Sequence, residues 1–318
     1  MSYSIIAEGL VKRFAETTAL TGIDLNVRTG TVFGLLGPNG AGKTTAVRIL
    51  ATLLKPDSGH AAVDGLDVVS QAHQVRQIIA LTGQYASVDE TLTGTENLYL
   101  IGRLTGQSRA QAKSRARELL AQFSLSDVAG RAAKTYSGGM RRRLDVAASL
   151  VTRPRVLYLD EPTTGLDPRS RNEMWDVVRG LTDSGVTVLL TTQYLDEADQ
   201  LASEIAVVDR GAVIATGTPE ELKARTGGQT LTVRPADPAQ VPVVRTVVGS
   251  LTLTTPEVRG TTVTTPVTDP DITPVVVRSL DEAGVRLAEL TLRGSTLDEV
   301  FLSLTGHRSE AAHEEVLV

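Results

Sequence analysis

The 318-residue chain contains no cysteine, which excludes disulfides and thiolate metal sites and fits a reducing compartment. It has no apolar run near the roughly 20 residues needed to span a bilayer. Its first residues, Met1-Ser2-Tyr3-Ser4, lack a charged-then-apolar leader, so the expectation is a chain made and kept in the cytoplasm. Basic excess is also missing. The formal net charge is −5, which gives no general nucleic-acid footprint. Lysine disappears from Gly227 onward, where 7 arginines stand against 12 Asp and Glu, while the first 226 residues carry 25 groups of each sign. An acidic second half argues against that half gripping a phosphate backbone. The chain has no heptad run either, so no long coiled arm is expected.

What is present is enough apolar residue, 41%, to build real cores in a chain whose length predicts two domains. The most informative segment is Gly37-Pro38-Asn39-Gly40-Ala41-Gly42-Lys43-Thr44-Thr45, a complete loop of the form G-x-x-x-x-G-K-[ST]. Its glycines remove the Cβ atoms that would keep the backbone away from phosphate oxygens. Its N–H groups can converge as an anion nest. Lys43 adds a charge for the β- and γ-phosphates, and Thr44 offers a hydroxyl to Mg²⁺. The apolar run Gly30–Leu36 before it reads as a strand. Thr44 to Leu54 after it reads as a helix, with Ala46, Val47, Ile49, Leu50 and Leu53 at helical spacing. Phosphates would therefore sit at a helix N-terminus.

Strand-like and helix-like stretches alternate through the first 226 residues, the pattern of an α/β domain. Val156–Leu159 and Val186–Leu190 read as buried parallel strands, and Ile205–Ile214 as a hairpin turning at Asp209-Arg210-Gly211. Between about Glu96 and Leu150 the pattern is helical, as in Arg109 to Phe123. A break at Arg225-Thr226-Gly227-Gly228-Gln229 leads into a Val, Thr and Pro-rich region. There we expect strands at Thr230–Arg234, Leu251–Thr255, Thr261–Thr265 and Val285–Arg293. Helices are expected at Pro238–Gly249 and Asp271–Ala283, giving a small split-βαβ domain. A last helix starts at Thr296 with the capping box Thr296-x-x-Glu299. It carries Leu297, Val300, Phe301 and Leu304 on one face and ends at Gly306. That face has two readings, packing on the small domain or contact with a partner.

Val156-Leu157-Tyr158-Leu159-Asp160-Glu161 supplies the acidic element that a nucleotide site needs. Asp160, at the strand end, can reach a metal shell beside Thr44, and Glu161 can accept a proton from water. Tyr136-Ser137-Gly138-Gly139-Met140 opens a basic helix, with Ser137 suited to the N-cap and two glycines leaving N–H groups bare at the positive end of the dipole. By itself this segment reads as an ordinary Ser-Gly-Gly cap.

Taken in order, the phosphate loop, Ser137-Gly138-Gly139-Met140 and Leu159-Asp160-Glu161-Pro162-Thr163-Thr164-Gly165-Leu166-Asp167-Pro168 resemble an ABC-transporter ATPase over about residues 3–226. Three further stretches resemble the ATPase subunits of daunorubicin-resistance-type drug exporters: Thr82–Glu90, Lys134–Arg143 and Thr191–Asp199. That likeness extends to Leu297-Asp298-Glu299-Val300-Phe301-Leu302. The implied fold is an α/β P-loop NTPase of ABC type (1–226) with a helical subdomain at about 85–150, followed by a small α+β C-terminal domain (227–318).

The resemblance also implies roles. Gly37 to Thr45 would wrap the phosphates of ATP. Thr44, Gln84 and Asp160 would complete the Mg²⁺ shell, and Glu161 would polarise the attacking water. Ser137, Gly138 and Gly139 would touch the γ-phosphate held by a second copy, in a head-to-tail homodimer with Asp167 across the interface. Phe14 stands where the family stacks an aromatic ring on adenine, although a core residue is an equal reading of it. Where the family usually has histidine near the γ-phosphate, this chain has Gln193, which can hydrogen-bond but cannot carry charge. The implied function is an ATP-hydrolysing exporter subunit, held on the inner face of the membrane by a separate permease that carries a hydrophobic drug. The alternative is a soluble ABC-type ATPase acting on ribosomes or nucleic acid.

Overall fold

The computed structural model describes residues 2–83, 88–225, 229–267, 269 and 271–305. Two compact units divide at Pro219/Glu220, seven residues before the break expected from sequence.

The first unit opens with two long strands, β1 (Tyr3–Phe14) and β2 (Thr17–Arg28). There follow β3 (Val32–Leu36), α1 (Lys43–Leu50), β4 (Ser58–Val63), β5 (Leu66–Asp67), α2 (Ala72–Ile78) and β6 (Ile79–Thr82). A helical stretch comes next: α3 (Gly94–Leu104), α4 (Arg109–Gln122) and α5 (Gly138–Ser149). The unit closes with β7 (Val156–Asp160), α6 (Pro168–Asp183), β8 (Thr187–Thr192), α7 (Leu195–Leu201), β9 (Glu204–Asp209) and β10 (Ala212–Gly217), and α8 (Pro219–Arg225) begins at the division.

Six strands form one sheet in the order β10-β9-β3-β8-β7-β6, parallel except at the β9/β10 hairpin. An antiparallel sheet, β2-β1-β4-β5, is separate. Sequence reasoning did not anticipate that second sheet. Its Ile5, Leu10, Leu20 and Ile23 share one core with α1 and with Phe33, Leu35, Val156 and Tyr158 of the large sheet. The intervening residues Leu157 and Leu159 turn to the opposite face and pack with α4, α5 and α6 through Leu119, Leu144 and Met174. A period of two therefore gives β7 two apolar faces, so all five of its residues are buried. Asp160 then stands where both layers end.

Helix α1 stops at Leu50, four residues short of expectation. Thr52 takes φ 63°, and Leu53, placed on the buried face by its spacing, is exposed. A β-branched residue in the left-handed region cannot continue an α-helix.

The second unit runs β11 (Gln229–Pro235), α9 (Val241–Thr252), β12 (Glu257–Arg259), β13 (Thr262–Val267), α10 (Ile272–Glu282), β14 (Leu287–Arg293) and α11 (Leu297–Thr305). Its sheet order is β12-β13-β11-β14, all antiparallel. The strand expected at Leu251–Thr255 is absent. Val241, Val244, Val248 and Leu251 repeat at helical spacing and pack on the sheet core, so α9 continues to Thr252. Packing overrides the β-propensity of the Val/Thr run. The sheet strand lies later, at Glu257–Arg259. The capping box before α11 forms, with the Thr296 N–H donating to Glu299 Oε2 at 3.0 Å and the Glu299 N–H donating to Thr296 Oγ1 at 3.3 Å. Leu297, Val300 and Phe301 are buried, but Leu304 is exposed. Gly306 lies outside the described residues.

Candidate functional site

The loop between β3 and α1 owes its shape to two glycines. Gly42, the N-cap of α1, has φ 108°, and a Cβ on it would come within 2.6 Å of the Ala19 carbonyl. A Cβ on Gly37 would lie 2.2 Å from the Val208 carbonyl of β9. The loop is thus pressed onto neighbouring backbone where no side chain fits. Further ties come from Gly37 N–H donating to Thr192 O at 3.3 Å and Gly211 N–H donating to Ala41 O at 2.9 Å. Pro38, Asn39, Gly40, Ala41 and Thr45 complete the ring. The Lys43 side chain is buried back across it, donating to Gly37 O at 2.6 Å and Pro38 O at 3.1 Å.

Facing this loop is the exit of β7. The Thr44 hydroxyl lies 3.3 Å from Asp160 Oδ1, and the buried Thr191 hydroxyl on β8 donates to the same oxygen at 2.5 Å. Glu161 is the next residue, and its backbone sits at φ 50°, a strained conformation for a side-chain-bearing residue. Its N–H donates to Thr191 O at 3.1 Å and to Thr191 Oγ1 at 3.2 Å. That turn aims the carboxylate to 3.8 Å from Lys43 Nζ, with both side chains about nine-tenths buried or more. The structure therefore brings Lys43, Thr44, Asp160 and Glu161 together, as expected. Sequence reasoning passed over Thr191, which ties Asp160 to Glu161. It stands in the quoted run Thr191-Thr192-Gln193-Tyr194, but nothing in the sequence marks one threonine of that run above another.

Gln193 follows β8, and its side-chain Oε1 is buried with no hydrogen-bond partner among the described residues. Nearby Glu197 on α7 is fully buried. Neither of its carboxylate oxygens has a partner in hydrogen-bond geometry among the described residues. Burial pushes its pKa from the ordinary 4.5 up to about 7, with the Thr192, Thr163 and Trp175 side chains pulling back and Asp196 adding to the rise. Gln84 lies outside the described residues. Phe14, at the end of β1, is half-exposed with Lys12 Nζ 5.6 Å from its ring centroid, so the core reading of this residue does not hold.

Ser137 caps α5, its Oγ accepting from Met140 N–H at 3.2 Å. Around Gly138 the space is open, whereas a Cβ on Gly139 would meet Ser170 Oγ, at the start of α6. Gly139 thus has a packing reason as well. Asp167 caps α6, and the Ser170 hydroxyl and N–H hold its carboxyl below the usual carboxylate range.

A glycine-shaped loop at a helix N-terminus, a buried lysine within it and a paired threonine and aspartate beside it define the site of a P-loop nucleotide hydrolase. The paired Thr44 hydroxyl and Asp160 carboxylate are hard oxygen donors, a set that suits Mg²⁺. Gln193 adds an orphaned amide oxygen near the end of β8.

Comparison with known proteins agrees with that assignment. The family described as ABC transporter matches residues 20–164. The daunorubicin resistance ATP-binding protein DrrA2 of Streptomyces coeruleorubidus is 55% identical over 97% of this chain and 97% of its own. The daunorubicin/doxorubicin resistance ATP-binding protein DrrA of Streptomyces peucetius is 53% identical over 98% and 97%. Among solved structures, CbiO1 of Clostridium perfringens, part of the ABC transporter complex CbiONQ, matches at TM-score 0.66 and 26% identity over 70% of this chain and 92% of its own. This chain belongs to the ABC-transporter family. It is an ATP-binding, ATP-hydrolysing subunit of a transporter complex. These relatives favour that reading over a ribosome or nucleic-acid factor. Among the described residues, no helix is long and apolar enough to cross a membrane.

Proposed function

We propose that this subunit powers efflux of a hydrophobic drug or antibiotic through a separate integral-membrane permease, which holds it on the inner face of the membrane. The names of the resistance relatives support the cargo class. In this reading residues 1–226, with the helical subdomain at about 85–150, act as the ATP-binding domain, and residues 227–318 act as a small α+β companion.

The observation that carries the hydrolytic reading is the Glu161 carboxylate, held on a strained turn 3.8 Å from Lys43 Nζ. In our reading Gly37, Pro38, Asn39, Gly40, Ala41, Gly42, Lys43, Thr44 and Thr45 bind the ATP phosphates. With γ-phosphate present, Lys43 turns to it, and Glu161 is left to take the proton of the attacking water. Thr44, Gln84 and Asp160 hold Mg²⁺. When bound there, Mg²⁺ would supply positive charge that neutralises charge developing on the phosphates. Gln193 hydrogen-bonds the γ-phosphate, and the exposed ring of Phe14 stacks on adenine.

Ser137, Gly138 and Gly139 complete the site of a second copy, so two chains sandwich two ATPs head to tail. Closure favours ATP, and that differential affinity drives the permease between conformations. The test is Glu161→Gln. Turnover should fall about 10²–10⁴-fold, and ATP should then shift the chain to a dimer on sizing. A monomer with normal turnover overturns the mechanism.

A further inference from the structure

Arg142 lies in the run Arg141-Arg142-Arg143 of the basic helix α5, and arginine is ordinarily an exposed residue. Its side chain is instead largely covered, 13% exposed. The guanidinium has five N–H donors in a rigid fork, and five acceptors meet it. Nε donates to Pro162 O at 3.0 Å. Nη1 donates to Gly83 O at 2.7 Å and faces Asp145 Oδ2 at 3.4 Å. Nη2 donates to Asp160 O and Glu161 O, both at 3.2 Å. Three of these carbonyls belong to consecutive residues leaving β7, and the fourth belongs to the residue after β6. Burial lowers the pKa of the guanidinium, opposed by Asp145, Asp160 and Glu197.

One helical turn before Arg142, the same α5 begins at the Ser137 cap. A cleft of about 490 Å³ has Gly138, Arg142 and Glu161 together in its lining. We propose that Arg142 is a positioning residue for ATP hydrolysis: its fork holds the carbonyls of Asp160, Glu161 and Pro162 against α5, so the Glu161 carboxylate is aimed only while the Ser137-Gly138-Gly139 end of that helix is seated. The inference rests on the reading of Glu161 as general base.

Two features of the geometry make arginine the required residue. The Glu161 backbone at φ 50° is held by its N–H through Thr191 and by its carbonyl through Arg142. Without the second tie, the turn can relax toward an ordinary conformation. A lysine keeps the charge but presents one compact ammonium, which cannot reach Gly83, Asp160, Glu161 and Pro162 together.

The experiment measures phosphate release from labelled ATP by the full chain carrying Arg142→Gln or Arg142→Lys, each alone and combined with Glu161→Gln. ATP binding and thermal unfolding are followed in parallel. Loss of charge-assisted hydrogen bonds to the catalytic turn should lower kcat about 10–100-fold, with ATP affinity within about threefold of the parent. On the Glu161→Gln background, the same substitutions should change residual turnover less than about twofold, because residues that act through one group are not additive. Arg142→Lys should resemble Arg142→Gln in kcat. Three results overturn the proposal: kcat within twofold of the parent, losses that multiply with Glu161→Gln, or failure of both variants to fold, which leaves Arg142 a structural strut. Full turnover in Glu161→Gln alone refutes instead the general-base reading, an outcome distinct from these.

Discussion

Glu197→Gln should change how the stability of the first unit depends on pH. Glu197 is fully buried, and the Thr192, Thr163 and Trp175 side chains that face it make no hydrogen bond of good geometry to either oxygen. Its pKa rises from 4.5 to about 7, chiefly through burial. A raised carboxyl pKa means the folded state binds the proton more tightly than the unfolded chain. Between about 4.5 and 7 the folded state holds a proton that the unfolded state has lost, so stability falls by about 1.4 kcal/mol per pH unit across that window. The contribution is fully present below 4.5 and gone above 7. Between pH 5.5 and 8.5 the loss amounts to about 2 kcal/mol. Glutamine fills the same volume and does not titrate, so the variant should gain about 2 kcal/mol on the parent over that range. Titrating groups remote from Glu197 cancel in the difference. Trp175, the single tryptophan, faces Glu197. Its fluorescence during urea unfolding at several pH values therefore reports the right region. A difference between variant and parent that stays flat from pH 5.5 to 8.5 would refute the argument. It would mean that a donor holds Glu197 ionised in the folded state.

Other variants test separate parts of the site. Gly37→Ala forces a Cβ to within 2.2 Å of the Val208 carbonyl; we expect about 2–4 kcal/mol of destabilisation by urea unfolding together with loss of ATP binding. Thr191→Val keeps the shape but removes the donor to Asp160 and one acceptor for the Glu161 N–H; steady-state turnover should fall about tenfold or more and the Mg²⁺ concentration for half-maximal rate should rise. Gln193→Ala removes the buried amide whose Oε1 has no partner among the described residues; ATPase should drop about tenfold, and unchanged turnover would remove Gln193 from the reaction.

The parts of the site most legible in the sequence were those whose chemistry is written in neighbouring residues. The loop Gly37–Thr45 and the strand end Asp160-Glu161 need particular residue types at fixed spacing, so they could be read without a fold. Buried strands such as β7 could be read because both faces are apolar. Long-range pairing was harder. The antiparallel sheet of β1, β2, β4 and β5 joins segments up to about 60 residues apart, and its strands mix buried and exposed positions irregularly at several bulges. The strand misplaced at Leu251–Thr255 failed because β-branched residues at helical spacing satisfy two patterns at once. Leu53 and Leu304 were assigned to buried faces by periodicity that outlasted the buried part of the helix.

Arg142 and Thr191 were invisible for a different reason. Each acts at least partly on backbone atoms, which every sequence contains, so no pattern of side chains points to them. Their common target explains why both are required. Glu161 must leave a buried parallel strand at an angle that brings its carboxylate toward Lys43, and the φ of 50° is how the backbone achieves it. That conformation costs about 1–3 kcal/mol and persists only where the surroundings over-determine it. Thr191 holds the entering N–H from β8, and Arg142 holds the departing carbonyl from α5. The two ties come from different layers of the fold, the sheet on one side and the helical stretch on the other. A shift of α5 relative to β7 would therefore loosen one tie and leave the other intact. The carboxylate would swing from its aim while the phosphate loop, anchored on β9 and β8, stayed in place. ATP binding and ATP hydrolysis can then be separated by moving a single helix, which is the separation that the Arg142 variants measure.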